Sequence, residues 1–255
     1  MQIAFDFGAP TDIALMRAGL RSAFAGYRPH NIREPIGQLI KSMISSRTKD
    51  EVSLKAYRRL VECYPRWSEL AGAPVPDIER AINDVTHAKD KAFYVKETLG
   101  LIARDHPDFD LSFLKELSVP EALAWLQALP GVGPKVAAST LNFSTLAMPA
   151  FVVDTHVLRV LARFGVVGPR ADIAAAYHAV MAAVPDWTAF ELSEFHVLSK
   201  RLGQLSCRFD NPLCGECPLR QHCRFAGSAA GARISRSPLP ADRPPDRPLV
   251  FPGRT

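Results

Sequence analysis

No run of apolar residues in this 255-residue chain approaches the roughly 20 needed to cross a bilayer, so an ordinary membrane-spanning helix is excluded. The opening residues, MQIAFDFGAPTD, lack the basic start and long apolar stretch of a secretory signal. A cytoplasmic location is therefore the expectation, and the five cysteines should be reduced thiols or metal ligands, not disulfides. Period-2 alternation is missing as well. The FVV at 151–153 is too short to argue for a strand, and no sheet is expected. No internal repeat appears, which excludes a solenoid. Acidic residues are in modest deficit, 26 against 31 Lys and Arg, giving a formal charge of +5. That balance tilts toward nucleic acid only weakly, because +3 of it comes from five arginines and two aspartates after residue 225.

What is present is helical spacing. Ile36, Leu39, Ile40, Met43 and Ile44 fall at i, i+3, i+4, i+7 and i+8, with Pro35 placed to open the helix. Ile13, Met16, Leu20 and Phe24 form another stripe, with Thr11 as its expected cap. Ala92, Val95, Leu99 and Ile102 form a third. Val157, Leu158, Leu161 and Phe164 form a fourth, and Phe195, Leu198, Leu202 and Leu205 a fifth. Further helices are expected over 51–62, 120–128, 134–146 and 172–183. The reading is an all-α protein of about ten helices. From Gly227 onward the chain turns to small residues and then to SPLPADRPPDRPLVFPGRT, whose six prolines deny helix or sheet. Residues 227–255 are read as a disordered tail, with a partner-binding polyproline segment as the alternative.

Cys207, Cys214, Cys217 and Cys223 read C-x6-C-x2-C-x5-C. Thiolates this close repel one another unless a cation sits among them, so a metal site is the economical explanation. Tetrahedral zinc and a [4Fe–4S] cluster both take four thiolates, and on spacing alone both stay open. Cys63 stands apart and reads as a small buried hydrophobe.

LPGVGPKVAAST, residues 129–140, places two glycines, a proline and a lysine between apolar helices. It is no Walker loop, since the lysine follows Gly-Pro and precedes Val136. Neither is it a dinucleotide fingerprint, since a helix precedes it. The pattern is helix, tight turn, helix, with Gly131 and Gly133 free to take positive φ or to allow close backbone approach. A helix start in such a turn offers N–H groups to a phosphate whatever the base sequence. Lys135 lies in the first helical turn, where the helix dipole and desolvation both disfavour the ammonium. A neutral amine is a usable nucleophile. A plain phosphate-binding lysine is the alternative. In VVDTHVLRVL, 152–161, Asp154 precedes an apolar-periodic run and reads as an N-cap. The same carboxylate can face a cleft and steady a developing positive charge.

Taken together, LPGVGPKVA, then VDTHVLRV with its aspartate nineteen residues after the lysine, then the cysteine quartet, resemble the endonuclease III branch of the helix-hairpin-helix DNA glycosylases. The resemblance runs from about Pro35 to Cys223. It implies a six-helix domain over 28–148 beside a cluster domain made of 1–27 and 149–226, with a DNA cleft between them. It implies a [4Fe–4S] cluster on Cys207, Cys214, Cys217 and Cys223, and makes Lys135 and Asp154 catalytic. The hairpin residues Leu129, Gly131, Val132 and Gly133 would contact DNA. The implied activity is base excision by a bifunctional glycosylase and AP lyase acting, as a monomer, on duplex DNA with damaged bases or abasic sites. The damaged base would be an oxidised pyrimidine.

This chain departs from that pattern where base choice is set. Arg47, in SSRTKD, takes the place of a gap-filling glutamine. An arginine there pairs with an orphaned base as donor only, or contacts phosphate. His87, in VTHAKDKA, takes the wedge position, or is a solvated loop histidine. The loop RFDNPL between the first two quartet cysteines keeps Arg208 as a DNA contact but adds Asp210. His156 and Arg159 are read as packing groups near the cluster, and Lys200 and Arg201 as a basic face. Rival readings are a lesion-binding protein without catalysis, a glycosylase for mismatched uracil or thymine, and a zinc-stabilised scaffold.

Overall fold

A computed structural model describes residues 8–24 and 32–234. The expected domain boundary at 28 and the proline-rich stretch beyond 234 lie outside the described residues. Those described form thirteen α-helices and no strand, apart from one isolated bridge between Arg33 and Ser144. In chain order they are α1 (Ala9–Ala23), α2 (Pro35–Ser45), α3 (Asp50–Cys63), α4 (Trp67–Gly72), α5 (Val75–Ala81), α6 (Ala88–Asp105), α7 (Val119–Gln127), α8 (Pro134–Phe143), α9 (Thr155–Phe164), α10 (Ile173–Ala183), α11 (Ala189–Leu205), α12 (Arg224–Gly227) and α13 (Ala229–Ile234). Each expected apolar stripe lies on one of these helices, except that Phe24 falls just past α1 as its C-cap. The short helices α4 and α5 were not expected, because six or seven residues hold too few turns to show a period.

Three expectations need correction. Thr11 does not cap α1. The helix starts two residues earlier, with Pro10 in its first turn, where a missing N–H costs nothing. Cys63 is exposed at the end of α3, not buried. The tail does not begin at 227, since Ala229–Ile234 continues as helix α13.

The buried side chains fall into two cores. One joins α2 through α8 around Leu39, Ile40, Leu60, Ile78, Leu99, Leu126 and Leu141. The other joins α1, α9, α10 and α11 around Met16, Leu20, Phe164, Val180 and Phe195. Arg17 sews α1 to α11, with Glu191 at 2.9 Å and Glu194 at 3.1 Å, its guanidinium lying 4.6 Å over Trp187. The chain passes between the cores at 151–153. Phe151 and Val153 enter the second core and Val152 the first. The FVV that is too short to pair as a strand alternates its side chains between the cores and so binds both at once. Asp154 and α9 follow directly, so the segment that joins the cores also delivers the carboxylate.

Candidate active site and cysteine centre

The turn between α7 and α8 is a tight hairpin. Gly131 has φ of 72°, and an added Cβ would lie 2.7 Å from the Tyr94 side chain of α6, so position 131 is closed to other residues both by backbone conformation and by space. Thr98 of α6 donates to the Pro130 carbonyl at 2.8 Å and fixes the turn to the first core. Gly133 caps α8 in an extended conformation, and no protein atom lies within 4 Å of where its Cβ would stand. The side chains of Leu129 and Val132 are buried, 9% and 6% exposed, within the first core. The Val132 N–H closes the turn on the Leu129 carbonyl. Their side chains anchor the turn in the first core, as apolar groups flanking a tight turn do. Gly131 and Gly133 are the hairpin positions that reach the surface.

Lys135 follows in the first turn of α8, half-buried. Burial lowers its pKa, the Lys200 ammonium lowers it further, and Asp154 and Asp50 act the other way without cancelling the fall. Asp154 caps α9, its Oδ1 accepting from the amides of His156 at 2.9 Å and Val157 at 2.8 Å. The carboxylate is thus both the expected cap and a neighbour in the field of Lys135. Burial pushes Asp154 up, but His196, the Val157 amide, Lys200 and His156 outweigh it, and the net direction is down. His196 is itself lowered to about 4 by burial, against the upward pull of the Asp154 carboxylate. Its Nδ1 lies 2.7 Å from the Val152 carbonyl, which only a ring N–H can satisfy.

Sequence reasoning named Lys200 only as part of a basic face, and missed Lys41 and Asp50 among the groups that crowd this amine. Lys200 of α11 pairs with Asp50 of α3 at 2.7 Å, and Gln204 also reaches that carboxylate. Lys41 of α2 is lowered to about 8 by burial, and its Nζ bonds Ser45 at 2.8 Å and Ser53 at 3.2 Å. No local pattern marks Lys41, Asp50 or Lys200, because they come from three different helices. Arg201, read with Lys200 as a basic face, instead packs its guanidinium 5.6 Å over the Phe24 ring.

Arg47 and His87 are both exposed, and both hold left-handed backbone, with φ of 54° and 57°. Each is costly for a non-glycine residue by about 1–2 kcal/mol. Arg47 sits in the turn after α2, and His87 at the start of α6.

In the cysteine centre, Cys214 is buried and Cys207, Cys217 and Cys223 are partly so. Burial raises the Cys217 thiol to about 11, and the other three cysteines push in the same direction, so all four share one electrostatic neighbourhood. Arg163 of α9, another residue missed in the sequence, closes this region. It contacts the Cys207 sulfur at 3.5 Å and the Phe209 carbonyl at 3.0 Å, and its own carbonyl accepts from the Cys223 thiol at 3.3 Å. Arg159 donates to the Cys207 and Gly203 carbonyls, both at 2.8 Å, which is the packing role expected of it. Arg208 is exposed on the same loop. Among the described residues no three His, Cys, Asp or Glu side chains gather closely enough to hold one metal ion.

Residues 40–185, more than half of the chain, match the family model of the HhH-GPD superfamily base excision DNA repair proteins. The chain belongs to the HhH-GPD superfamily. It is a base excision DNA repair enzyme. Within that superfamily it is 32% identical over 200 residues to Endonuclease III of Thermotoga maritima, covering 78% of this chain and 86% of that one. It is 26% identical over 192 residues to Endonuclease III of Bacillus subtilis, covering 74% and 81%. Among solved structures it is similar to a trapped endonuclease III–DNA covalent intermediate, with a TM-score of 0.73 at 24% identity over 88% of this chain and 98% of that one. A thermostable thymine-DNA glycosylase shares the HhH-GPD fold at a TM-score of 0.69 and 18% identity, over 88% and 99%.

Proposed function

We propose that Lys135 and Asp154 carry the chemistry of this DNA glycosylase and AP lyase, acting on damaged bases and abasic sites in duplex DNA. The observation that carries the reading is the amine itself. It sits in the first turn of α8, is lowered by burial and by Lys200, and lies within the field of the Asp154 carboxylate. A neutral amine attacks carbon and an ammonium does not.

The target nucleotide must leave the stack, because C1′ is out of reach inside a duplex. Lys135 Nζ then bonds to C1′, and the glycosidic bond breaks with its electron pair going to the base, which takes up a proton. Asp154 steadies the positive charge that develops on the sugar. Sugar ring opening leaves a Schiff base between Nζ and C1′. Loss of a C2′ proton and then of the 3′ phosphate cuts the strand, and water frees the lysine. Gly131 and Gly133 would let a phosphate approach the hairpin, where Gly133 has nothing of the protein to fill its side-chain space. Arg208 would add a phosphate contact. Arg47 and His87 would fill the space the extruded base leaves, and with them base choice would differ from the oxidised-pyrimidine expectation.

Cys207, Cys214, Cys217 and Cys223 would hold a [4Fe–4S] cluster. The donor set fits: four thiols share one electrostatic neighbourhood, and four thiolates are what such a cluster takes. When bound, the cluster would supply iron–thiolate bonds that fix the 207–223 loop.

Borohydride trapping on an abasic duplex tests the nucleophile. Wild type and Lys55→Ala should form a covalent adduct, and Lys135→Ala should form none. An adduct that persists in Lys135→Ala and disappears in Lys41→Ala would move the role to Lys41. No adduct in wild type would remove the lyase.

A further inference from the structure

Lys91 of α6 is 8% exposed, an uncommon place for an ammonium. Its three N–H bonds are all used. They reach the Ile44 carbonyl at 2.8 Å, the Ser46 carbonyl at 2.6 Å and the Thr48 hydroxyl at 3.0 Å. The first two acceptors lie at the end of α2, where helical carbonyls have no partner in their own helix. Thr48 is equally committed. Its hydroxyl accepts from Lys91 and from the Thr86 amide at 3.1 Å, and donates to the Ser46 carbonyl at 3.3 Å. The turn at 44–48 and the turn at 85–87 are thereby tied through one cation and one hydroxyl.

Each of these turns carries one exposed, left-handed, non-glycine residue, Arg47 in one and His87 in the other. Two such conformations persist only where the surroundings over-determine them. The Lys91–Thr48 knot ties together the two turns that carry them.

We propose that Lys91 is a positioning residue which, with Thr48, locks the Arg47 and His87 turns into one rigid tool that enters the duplex as a unit. It touches neither substrate nor reacting atoms. It sets the separation and direction of two side chains, so that inserting one presents the other without further ordering cost. The idea rests on the reading that Arg47 and His87 are the inserted residues.

The test uses the full chain and a duplex with a tetrahydrofuran abasic analogue opposite 2-aminopurine, whose fluorescence reports insertion beside the orphaned base. Binding is followed separately by anisotropy. At saturating protein, Lys91→Met and Thr48→Val should each reduce the fluorescence change about fivefold or more, while Kd rises less than about threefold, since phosphate contacts dominate affinity. Lys91→Arg should recover part of the signal, because a guanidinium can still donate to both carbonyls. Should Lys91→Met fail to fold, Thr48→Val decides, since it cuts the hydroxyl bridge between Lys91 and the Thr86 amide while Lys91 keeps the Ile44 and Ser46 carbonyls. A wild-type signal in folded Thr48→Val or Lys91→Met overturns the proposal, as does a loss of signal that merely follows a loss of binding. A wild-type signal in Arg47→Ala/His87→Ala overturns the reading beneath it, while Lys135 trapping would stand.

Discussion

Asp50 of α3 and Lys200 of α11 meet at 2.7 Å beside Lys135, joining the two cores across 150 residues of sequence. The pair is too exposed to add much stability, since ion pairs in water are worth about 0–1 kcal/mol. Its weight is electrostatic. After burial, Lys200 is the largest influence lowering the Lys135 amine, and Asp50 opposes it.

The pH profile of strand cleavage should therefore move with Lys200. With Lys135 as the proposed nucleophile, cleavage needs the neutral amine and fails below its pKa. Lys200→Gln removes a neighbouring positive charge, so the Lys135 pKa rises and the acid limb should shift to higher pH. Asp154→Asn removes a negative charge that raises the amine, so its acid limb should shift to lower pH, on a reduced maximum rate. Single-turnover cleavage of an abasic duplex across pH reads both. Shifts in the same direction would show that neither charge acts through the amine.

Asp154 caps α9, and the proposed mechanism gives its charge a second task. Asn keeps an oxygen for the His156 and Val157 amides, whereas Ala loses both bonds. Asp154→Ala should cost about 1 kcal/mol of stability, or roughly 2–4 °C in Tm, and Asp154→Asn much less. Both should cut the cleavage rate by about 10²-fold or more, because the charge is gone in each. Thermal melting beside kinetics separates cap from charge.

Gly131→Ala should distort the hairpin. Its φ of 72° and the Tyr94 atoms 2.7 Å from the new Cβ combine left-handed strain with overpacking, about 2–4 kcal/mol in all. Gly133→Ala meets no protein atom, so its stability should stay near wild type. Its affinity for an abasic duplex should still fall, because the proposed phosphate approach would use that space. Urea midpoints and anisotropy titrations check the contrast.

The cysteine centre should announce its contents by colour. Protein purified without oxygen should absorb near about 400 nm by sulfur-to-iron charge transfer. Cys217→Ser should lose that band. Arg163→Ala should keep it when fresh and lose it faster in air, because Arg163 ties the Cys207 and Phe209 ends of the loop. A colourless wild type carrying zinc would remove the cluster.

How much of this was legible in the sequence differs from residue to residue. The main helices, the cap at Asp154, the tight turn at Gly131 and the cysteine quartet could all be read. Each is written in spacings of a few residues. Leu129 and Val132 could not be placed, because a hairpin residue may face DNA or the core and local pattern does not say which. Cys63 looked buried for the same reason. Arg163 showed only as an arginine four residues after Arg159 until the loop folded back onto it.

The sequence by itself determined the helical period, the lysine at the mouth of α8, the aspartate at the head of α9 and the four thiols, because such features need only neighbours along the chain. Tertiary structure decided which charges surround that lysine, that Phe151, Val152 and Val153 alternate between two cores, and that Lys91 knots the Arg47 and His87 turns. Those contacts join residues tens to more than a hundred positions apart. Burial and Coulomb interaction depend on distance in space, which separation along the chain does not encode.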